Sequence, residues 1–273
     1  MRDFQKIDLG SVTVDYASCC DGCAEQTKSS CHDRYEIAYI DRGVGKYILE
    51  GKAVAVNSHS LFISRPIEYH GLYLDGDEGY SRYTVSFSAV ALSESCKDIL
   101  DRILDGASGA YLPSTKENSE ITAVFEKMML IPTIREGERV AFATALLTEL
   151  VILLSSLGCE RIVNTDDTLV PRVTRYINAN IQRGLSLDAI SGQFFVNKCY
   201  LCRAFKQQSG VSIHTYINQK RVLLAKRLIE SGEVASRAAD NVGFGDYSAF
   251  YRAYMKHLGV PPTSHQPKRG VTL

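Results

Sequence analysis

The sequence predicts an α+β protein in two parts: a small N-terminal β-barrel followed by helices, then an all-α domain with two helix-turn-helix units. Three observations lead there. Residues 1 to about 90 hold short β-branched and aromatic runs between glycine turns, and from about Ala89 the apolar residues recur at three- and four-residue spacing. Residues 241–262, NVGFGDYSAFYRAYMKHLGVPP, repeat features found 49 positions earlier, where Arg252 falls on Arg203. Charge is divided unevenly as well: residues 166–273 hold 15 basic and 7 acidic residues, whereas residues 1–165 hold 16 and 24. A basic helical part within a chain of zero net charge points to a polyanionic partner.

In the N-terminal part, residues 35–40 (YEIAYI) read as a strand that ends in the turn Asp41 to Gly45. Residues 46–49 and 53–56 are strands around the Glu50-Gly51 turn, residues 61–63 end near Pro66, and residues 69–74 and 82–87 complete the series. Such a set suggests a sandwich or small barrel, and a barrel's mouth is a common ligand pocket. His32, Glu36 and His70 are the candidate effector-binding residues as polar lining of that pocket. They are also metal-ligating types, but a separation of four does not by itself bring His32 and Glu36 to one strand face, so no metal or other cofactor is expected.

Helices are expected over residues 92–104, 121–130 and 138–157. The last carries Leu146, Leu150, Leu153, Leu154 and Leu157 as a stripe that packs on its own barrel, pairs with a second copy, or does both. Residues 141–158 are apolar enough to invite a membrane reading, but Glu149 sits near the middle, which favours a buried helix and no membrane partner. No signal peptide is visible after Met1-Arg2-Asp3, so a cytoplasmic chain with reduced thiols is expected. Residues 160–168 (ERIVNTDDT) read as the linker between domains at 1–160 and 168–273.

Cys19, Cys20, Cys23, Cys31 and His32 crowd the N-terminal region, yet only one CxxC is formed there, so ordinary loop thiols are preferred over a zinc site. Cys199 and Cys202 form a second CxxC, inside a predicted helix, where they suit groove-facing positions better than a redox pair.

In the C-terminal part, residues 169–181 are amphipathic and Ser186 caps a helix over about 187–193. Asn197 caps the next, whose Leu201 and Phe205 turn inward while Cys199, Cys202, Arg203 and Lys206 share the opposite face at spacing 0, 3, 4, 7. A rod over residues 212–232 follows, with Lys220, Arg221, Lys226 and Arg227 on its polar side. Asp246 caps the last helix, and Gly259 with Pro261-Pro262 stops it. At the 49-residue offset Ala204/Ala253, Gly210/Gly259 and Val211/Val260 match, as do Phe195/Phe244 and Ala189/Ala238. Each half thus places a small helix, a turn and a second helix in the layout that reads a DNA groove. Arg203 can fork onto a guanine, and Lys206 suits phosphate. The opposing possibility is that Arg203 and Arg252 only form surface ion pairs.

These residues resemble the AraC-type (AraC/XylS) transcription regulators. The resemblance rests on Gly243-Phe244-x-Asp246-x-Ser248-x-Phe250-x-Arg252 and Gly259-x-Pro261, preceded by Tyr200-Leu201-x-Arg203-x-Phe205-Lys206, and covers about the last hundred residues. Tyr254-Met255 and residues 263–266 depart from the pattern. His32, Tyr35-Glu36, Gly43-x-Gly45 and residues 66–70 resemble the cupin-type sensing domain that many members carry. The resemblance implies a sequence-specific DNA-binding regulator, commonly an activator working with RNA polymerase, that answers a small-molecule effector and forms a homodimer. It implies base contacts from Cys199, Cys202 and Arg203 and from Tyr247, Ser248, Tyr251 and Arg252, flanked by Asn197, Lys198 and Lys206. The competing classes are a thiol- or metal-responsive regulator built on residues 19–31, a metal-dependent cupin enzyme, and a cysteine alkyl-acceptor protein; no catalytic residues stand out for an enzyme.

Overall fold

A computed structural model describes residues 2–20, 22, 25–26, 29–75, 78–114, 119–163 and 167–267. The chain divides into two compact units, Met1–Thr165 and Asp166–Leu273.

The first unit carries eleven described strands: β1 (Arg2–Asp8), β2 (Val12–Cys19), β3 (Glu25–Gln26), β4 (Tyr35–Arg42), β5 (Gly45–Leu49), β6 (Lys52–Val56), β7 (Ser60–Ser64), β8 (His70–Leu74), β9 (Tyr80–Phe87), β10 (Gly109–Leu112) and β11 (Glu160–Arg161). They form a seven-stranded sheet, β1-β2-β9-β4-β7-β10-β11, and a four-stranded sheet, β3-β8-β5-β6, with antiparallel pairing throughout. The hairpin between β5 and β6 turns on Glu50 and Gly51, with φ of 49° and 81°, the left-handed pair that a two-residue loop requires.

The central strands β4 and β7 of the large sheet are covered on both faces, which explains why they read as nearly unbroken apolar runs. One face sends Ile37, Tyr39, Leu61, Ile63, Val85 and Phe87 toward the helices α1 (Glu94–Leu104), α2 (Ser119–Met129) and α3 (Arg139–Leu157). The other sends Ala38, Ile40 and Phe62 toward Tyr47, Leu49, Leu72 and Leu74 of the small sheet. Tyr39 fixes α2 on the sheet: its ring stacks on Phe125 at 5.4 Å and its hydroxyl lies 2.7 Å from Thr122 Oγ1.

Among the described residues one helix, within Glu136–Leu157, is long and apolar enough to cross a membrane. Its Ala143, Leu146, Leu147, Leu150, Val151 and Leu154 are core residues, while Val140, Ile152 and Leu157 remain exposed. The segment that reads as a linker from residue 160 is still part of the sheet at its start. Glu160–Arg161 pairs with β10, and Ile162 is buried in the core with its amide donating to Gly109 O at 2.8 Å. Polar residues give that segment the look of a linker, but an edge strand needs only backbone pairing.

The second unit contains α4 (Leu169–Ala179), α5 (Leu187–Gln193), α6 (Lys198–Ser209), α7 (Ile213–Glu230), α8 (Ala235–Asn241) and α9 (Tyr247–Leu258). Helical spacing puts Lys220 and Arg221 on the polar side of the rod α7; in the structure both are buried. Arg221 donates to Ile181 O at 2.9 Å and to Arg183 O at 2.5 Å, and its guanidinium lies 5.8 Å from the Phe244 ring. One arginine of the rod therefore ties the segment before α5 to the turn before α9, a long-range role that local periodicity cannot reveal.

Candidate nucleic-acid interface and effector pocket

α6 and α9 are built alike. Asn197 Oδ1 accepts from the Cys199 amide at 2.8 Å, and Asp246 Oδ2 accepts from the Ala249 amide at 2.8 Å, so each helix begins on a side-chain cap. Each ends on a left-handed glycine, Gly210 at φ 79° and Gly259 at φ 73°. Leu201 and Phe205 in one helix, and Phe250 and Tyr254 in the other, are wholly buried and point to the core. Phe205 meets Tyr216 of α7 edge-on at 5.5 Å; Tyr254 meets Phe250 at 5.3 Å and its hydroxyl lies 3.0 Å from His265 Nδ1. That last contact accounts for the tyrosine at a position where the sequence departs from the family pattern.

The repeat needs one correction. The 49-residue offset holds for α6 and α9, but the preceding helices are offset by 48: Phe195 N donates to Gly192 O as Gly243 N does to Asp240 O, and Val196 N to Ser191 O as Phe244 N does to Ala239 O. Phe195 therefore corresponds to Gly243, Val196 to Phe244, and Ile190 to Ala238. Phe195/Phe244 and Ala189/Ala238 are not equivalent pairs. Gly245 lengthens the second turn by one residue. Phe244 is buried, whereas Phe195 is 96% exposed and holds φ 53° at a place where its counterpart Gly243 holds φ 91°.

Of the expected DNA-contacting residues, Asn197, Lys198, Cys199, Arg203, Lys206, Tyr247, Ser248, Tyr251 and Arg252 are exposed and Cys202 is half-buried. Among the described residues Arg203 and Arg252 have no ion pair, so the surface-pair alternative has no support in the fold. Lys198 is the exception, for it pairs with Asp188 of α5. Beside α9 a cavity of about 350 Å³ brings Arg252, Lys256 and His257 together with His214 and Asn218 of α7. The α7 residues and Lys256 carry no mark in the sequence, because their convergence depends on the crossing of two helices.

In the first unit a cavity of about 140 Å³ lies between the two sheets, lined by Asp15, Ser30, Glu36, Ala38, Tyr47, His70, Leu72, Arg82 and Thr84. Glu36 comes from β4 of the large sheet, His70 opens β8 of the small sheet, and His32 reaches back from the loop before β4. His32 Nε2 lies 3.2 Å from Glu36 Oε2, and His70 Nε2 lies 3.3 Å from Glu36 Oε1. The three predicted residues are thus brought together, and their ligand atoms all fall within 4.8 Å of one another. Each imidazole is held from behind: His32 Nδ1 by Arg34 O at 3.1 Å and His70 Nδ1 by Glu68 O at 3.0 Å. A carbonyl only accepts, so both Nδ1 atoms donate and both Nε2 atoms face Glu36.

Burial pushes the Glu36 carboxyl up, but the charge of His70 and hydrogen bonds from His32 and His70 outweigh it and hold it well below the usual carboxylate range. Burial likewise pulls His70 down, and the Glu36 carboxylate outweighs it, leaving His70 above its ordinary 6.5. Arg82 donates to Asp15 at 2.7 Å and to Thr84 Oγ1 at 2.8 Å across the cavity wall. Burial raises the Asp15 carboxyl against the pull of Arg82. Tyr47 is 1% exposed; Ser64 is near enough to lower its phenol slightly against the large rise from burial, yet neither hydroxyl is in hydrogen-bond geometry with any described group. Sequence reasoning misses Asp15, Arg82, Thr84 and Tyr47, although Asp15 and Arg82 are charges within strand-like runs, the signal that could have found them. In the cysteine-rich segment Cys19 and Cys31 are buried and Cys20 is exposed, while Cys23 lies outside the described residues.

Two family models match the chain in the order that this geometry sets out: an AraC-like ligand binding domain over residues 24–151 and a helix-turn-helix domain over residues 190–267. The chain belongs to the AraC family of transcriptional regulators. Among its AraC-family relatives is the HTH-type transcriptional activator RhaS of Klebsiella pneumoniae, 20% identical over 247 residues, which are 89% of this chain and 88% of RhaS. The uncharacterized HTH-type transcriptional regulator YfiF of Bacillus subtilis is 20% identical over 244 residues, 85% of this chain and 76% of YfiF. The multiple antibiotic resistance protein MarA of Escherichia coli is 29% identical over 104 residues, 38% of this chain and 82% of MarA. This AraC-family chain therefore couples an effector-responsive ligand-binding domain to a helix-turn-helix DNA-binding domain.

Proposed function

We propose that this regulator lays α6 and α9 into successive major grooves of its operator, with Arg203 and Arg252 as base readers and Lys206 on phosphate. The observation that carries this reading is the pair of capped helices, each pinned to the core by two buried side chains, that present arginine without an ion pair at the same position. α7 has 18 residues and so spans ~27 Å; as a brace it suits grooves that recur every ~34 Å along one DNA face. The cavity between the sheets, with His32, Glu36 and His70, receives the effector, and binding there favours one of two arrangements of the chain. The protein works as a cytoplasmic homodimer, with the exposed Val140, Ile152 and Leu157 of α3 offering an apolar pairing face. It activates transcription by recruiting RNA polymerase, and it catalyses no reaction.

Transcription in vitro, with purified RNA polymerase and a template carrying the bound site, tests the reading. More transcript with the regulator than without it supports activation. Unchanged or reduced transcript from an occupied site contradicts it.

A further inference from the structure

We propose that His32, Glu36 and His70 bind one divalent transition-metal ion of the zinc, cobalt, nickel and iron(II) group. The proposal rests on the reading of the cavity as the effector site only for its regulatory meaning; the ion site itself stands on geometry.

The first support is the hydrogen-bond pattern. Both Nδ1 atoms donate to backbone carbonyls, and both Nε2 atoms lie within hydrogen-bonding reach of Glu36. A neutral imidazole with its Nδ1–H donated aims the Nε2 lone pair at Glu36, and for the buried His70 the same atom also lies 3.3 Å from Ser30 Oγ. One divalent ion accepts both lone pairs and the carboxylate charge together. The carbonyl tethers are the outer contacts that fix tautomer and ring direction in histidine metal sites.

Spacing is the second support. Ligands ~2.0–2.1 Å from one tetrahedral ion stand roughly 3.3 Å apart. The two imidazole nitrogens lie 3.2 and 3.3 Å from the two oxygens of Glu36, and one ligand atom from each of the three residues falls within 4.8 Å of the other two, near enough for small side-chain adjustments to gather them round one ion. The donor set selects the metal: two imidazole nitrogens and one carboxylate suit the transition group, whereas calcium and magnesium take oxygen cages. Three protein ligands leave a coordination position for a water or small ligand, in the cavity that Glu36 and His70 line together with Tyr47.

The test uses the full chain, stripped with EDTA and titrated with Co(II), read by visible absorption. Saturation at one equivalent is expected, with ligand-field bands and without the intense near-ultraviolet absorption of thiolate–cobalt bonds. His32→Ala changes a half-exposed loop residue and leaves the circular dichroism spectrum unchanged, while it weakens Co(II) binding by at least about tenfold; Glu36→Gln does the same. Replacing Cys19, Cys20, Cys23 and Cys31 by serine leaves the Co(II) titration unchanged. The absence of ligand-field bands, thiolate bands lost in the serine variant, or full affinity in a folded His32→Ala protein would each overturn the assignment. DNA affinity is measured separately by fluorescence anisotropy, with and without Co(II). No Co(II) binding by a protein that still binds its operator removes the metal and leaves the regulator reading intact. Co(II) binding with unchanged operator affinity upholds the metal and removes its role as the switch.

Discussion

Phe195→Gly should stabilise the DNA-binding unit. The backbone at Phe195 holds φ 53°, and the structurally equivalent residue of the second repeat is a glycine at φ 91°. A left-handed conformation costs a residue with a Cβ ~1–2 kcal/mol. The ring is 96% exposed, so its removal forfeits little packing. Glycine returns ~0.5–1 kcal/mol of that gain through the greater freedom of the unfolded chain. The net is a gain of roughly 0.5–1 kcal/mol, or about two- to fivefold slower exchange of protected amides by the RT ln K relation. Native-state hydrogen exchange of α6 and α7 amides in the full chain reads this without requiring the two units to unfold together. Unchanged or faster exchange would show that the turn is not strained, or that the Phe195 ring packs on something, and would refute the equivalence of Phe195 with Gly243.

Four other outcomes follow from the same contacts. Arg203→Ala should cost about 1–3 kcal/mol at one operator position, ~5- to 140-fold in affinity, while stability changes by less than ~0.5 kcal/mol, since Arg203 is exposed and has no ion pair among the described residues; an equal loss on every DNA sequence in an anisotropy assay would make Arg203 a phosphate contact instead. Asp246→Ala removes the cap on α9 and should lower the stability of that helix by about 0.5–2 kcal/mol, read as faster exchange of the α9 amides. Gly243→Ala should destabilise the unit by more than ordinary surface changes do, because a Cβ there would stand 2.8 Å from Gln182 O and the backbone is left-handed; a melting curve unchanged from the parent protein would contradict this. Operator affinity should fall steeply and linearly on a log–log plot against salt, and a flat response would argue against phosphate contacts by the basic face.

The helix-turn-helix pair is legible in the sequence because its signals are local. Asn197, Asp246, Gly210 and Gly259 mark helix ends by short-range chemistry, and the buried pairs Leu201/Phe205 and Phe250/Tyr254 follow helical spacing. Identity matching misplaces the first helix of each repeat by one residue, because the insertion at Gly245 moves hydrogen-bond partners without disturbing the overall pattern. In the barrel, the strands with strong apolar runs are readable, while β1, β2, β3, β10 and β11 are not; β11 has only two exposed residues, held by pairing with β10 and by Arg161 donating to Arg102 O at 3.1 Å. Residue type alone hints that His32, Glu36 and His70 belong together. No local pattern brings them to one place, since one comes from a loop and the others from opposite sheets. Burial of Arg221 is hidden for a related reason: its partners Ile181 O and Arg183 O lie on a distant segment, and helical periodicity records only the face.

Selection of bound duplexes from a random pool, followed by sequencing, is the measurement on which the DNA-reading account stands or falls. For each chain the account predicts two blocks of enriched bases, centred about one helical turn (~10.5 base pairs) apart. Arg203→Ala should erase preference within one block and Arg252→Ala within the other. A single block, two blocks that respond to neither arginine, or no enrichment at all would contradict it.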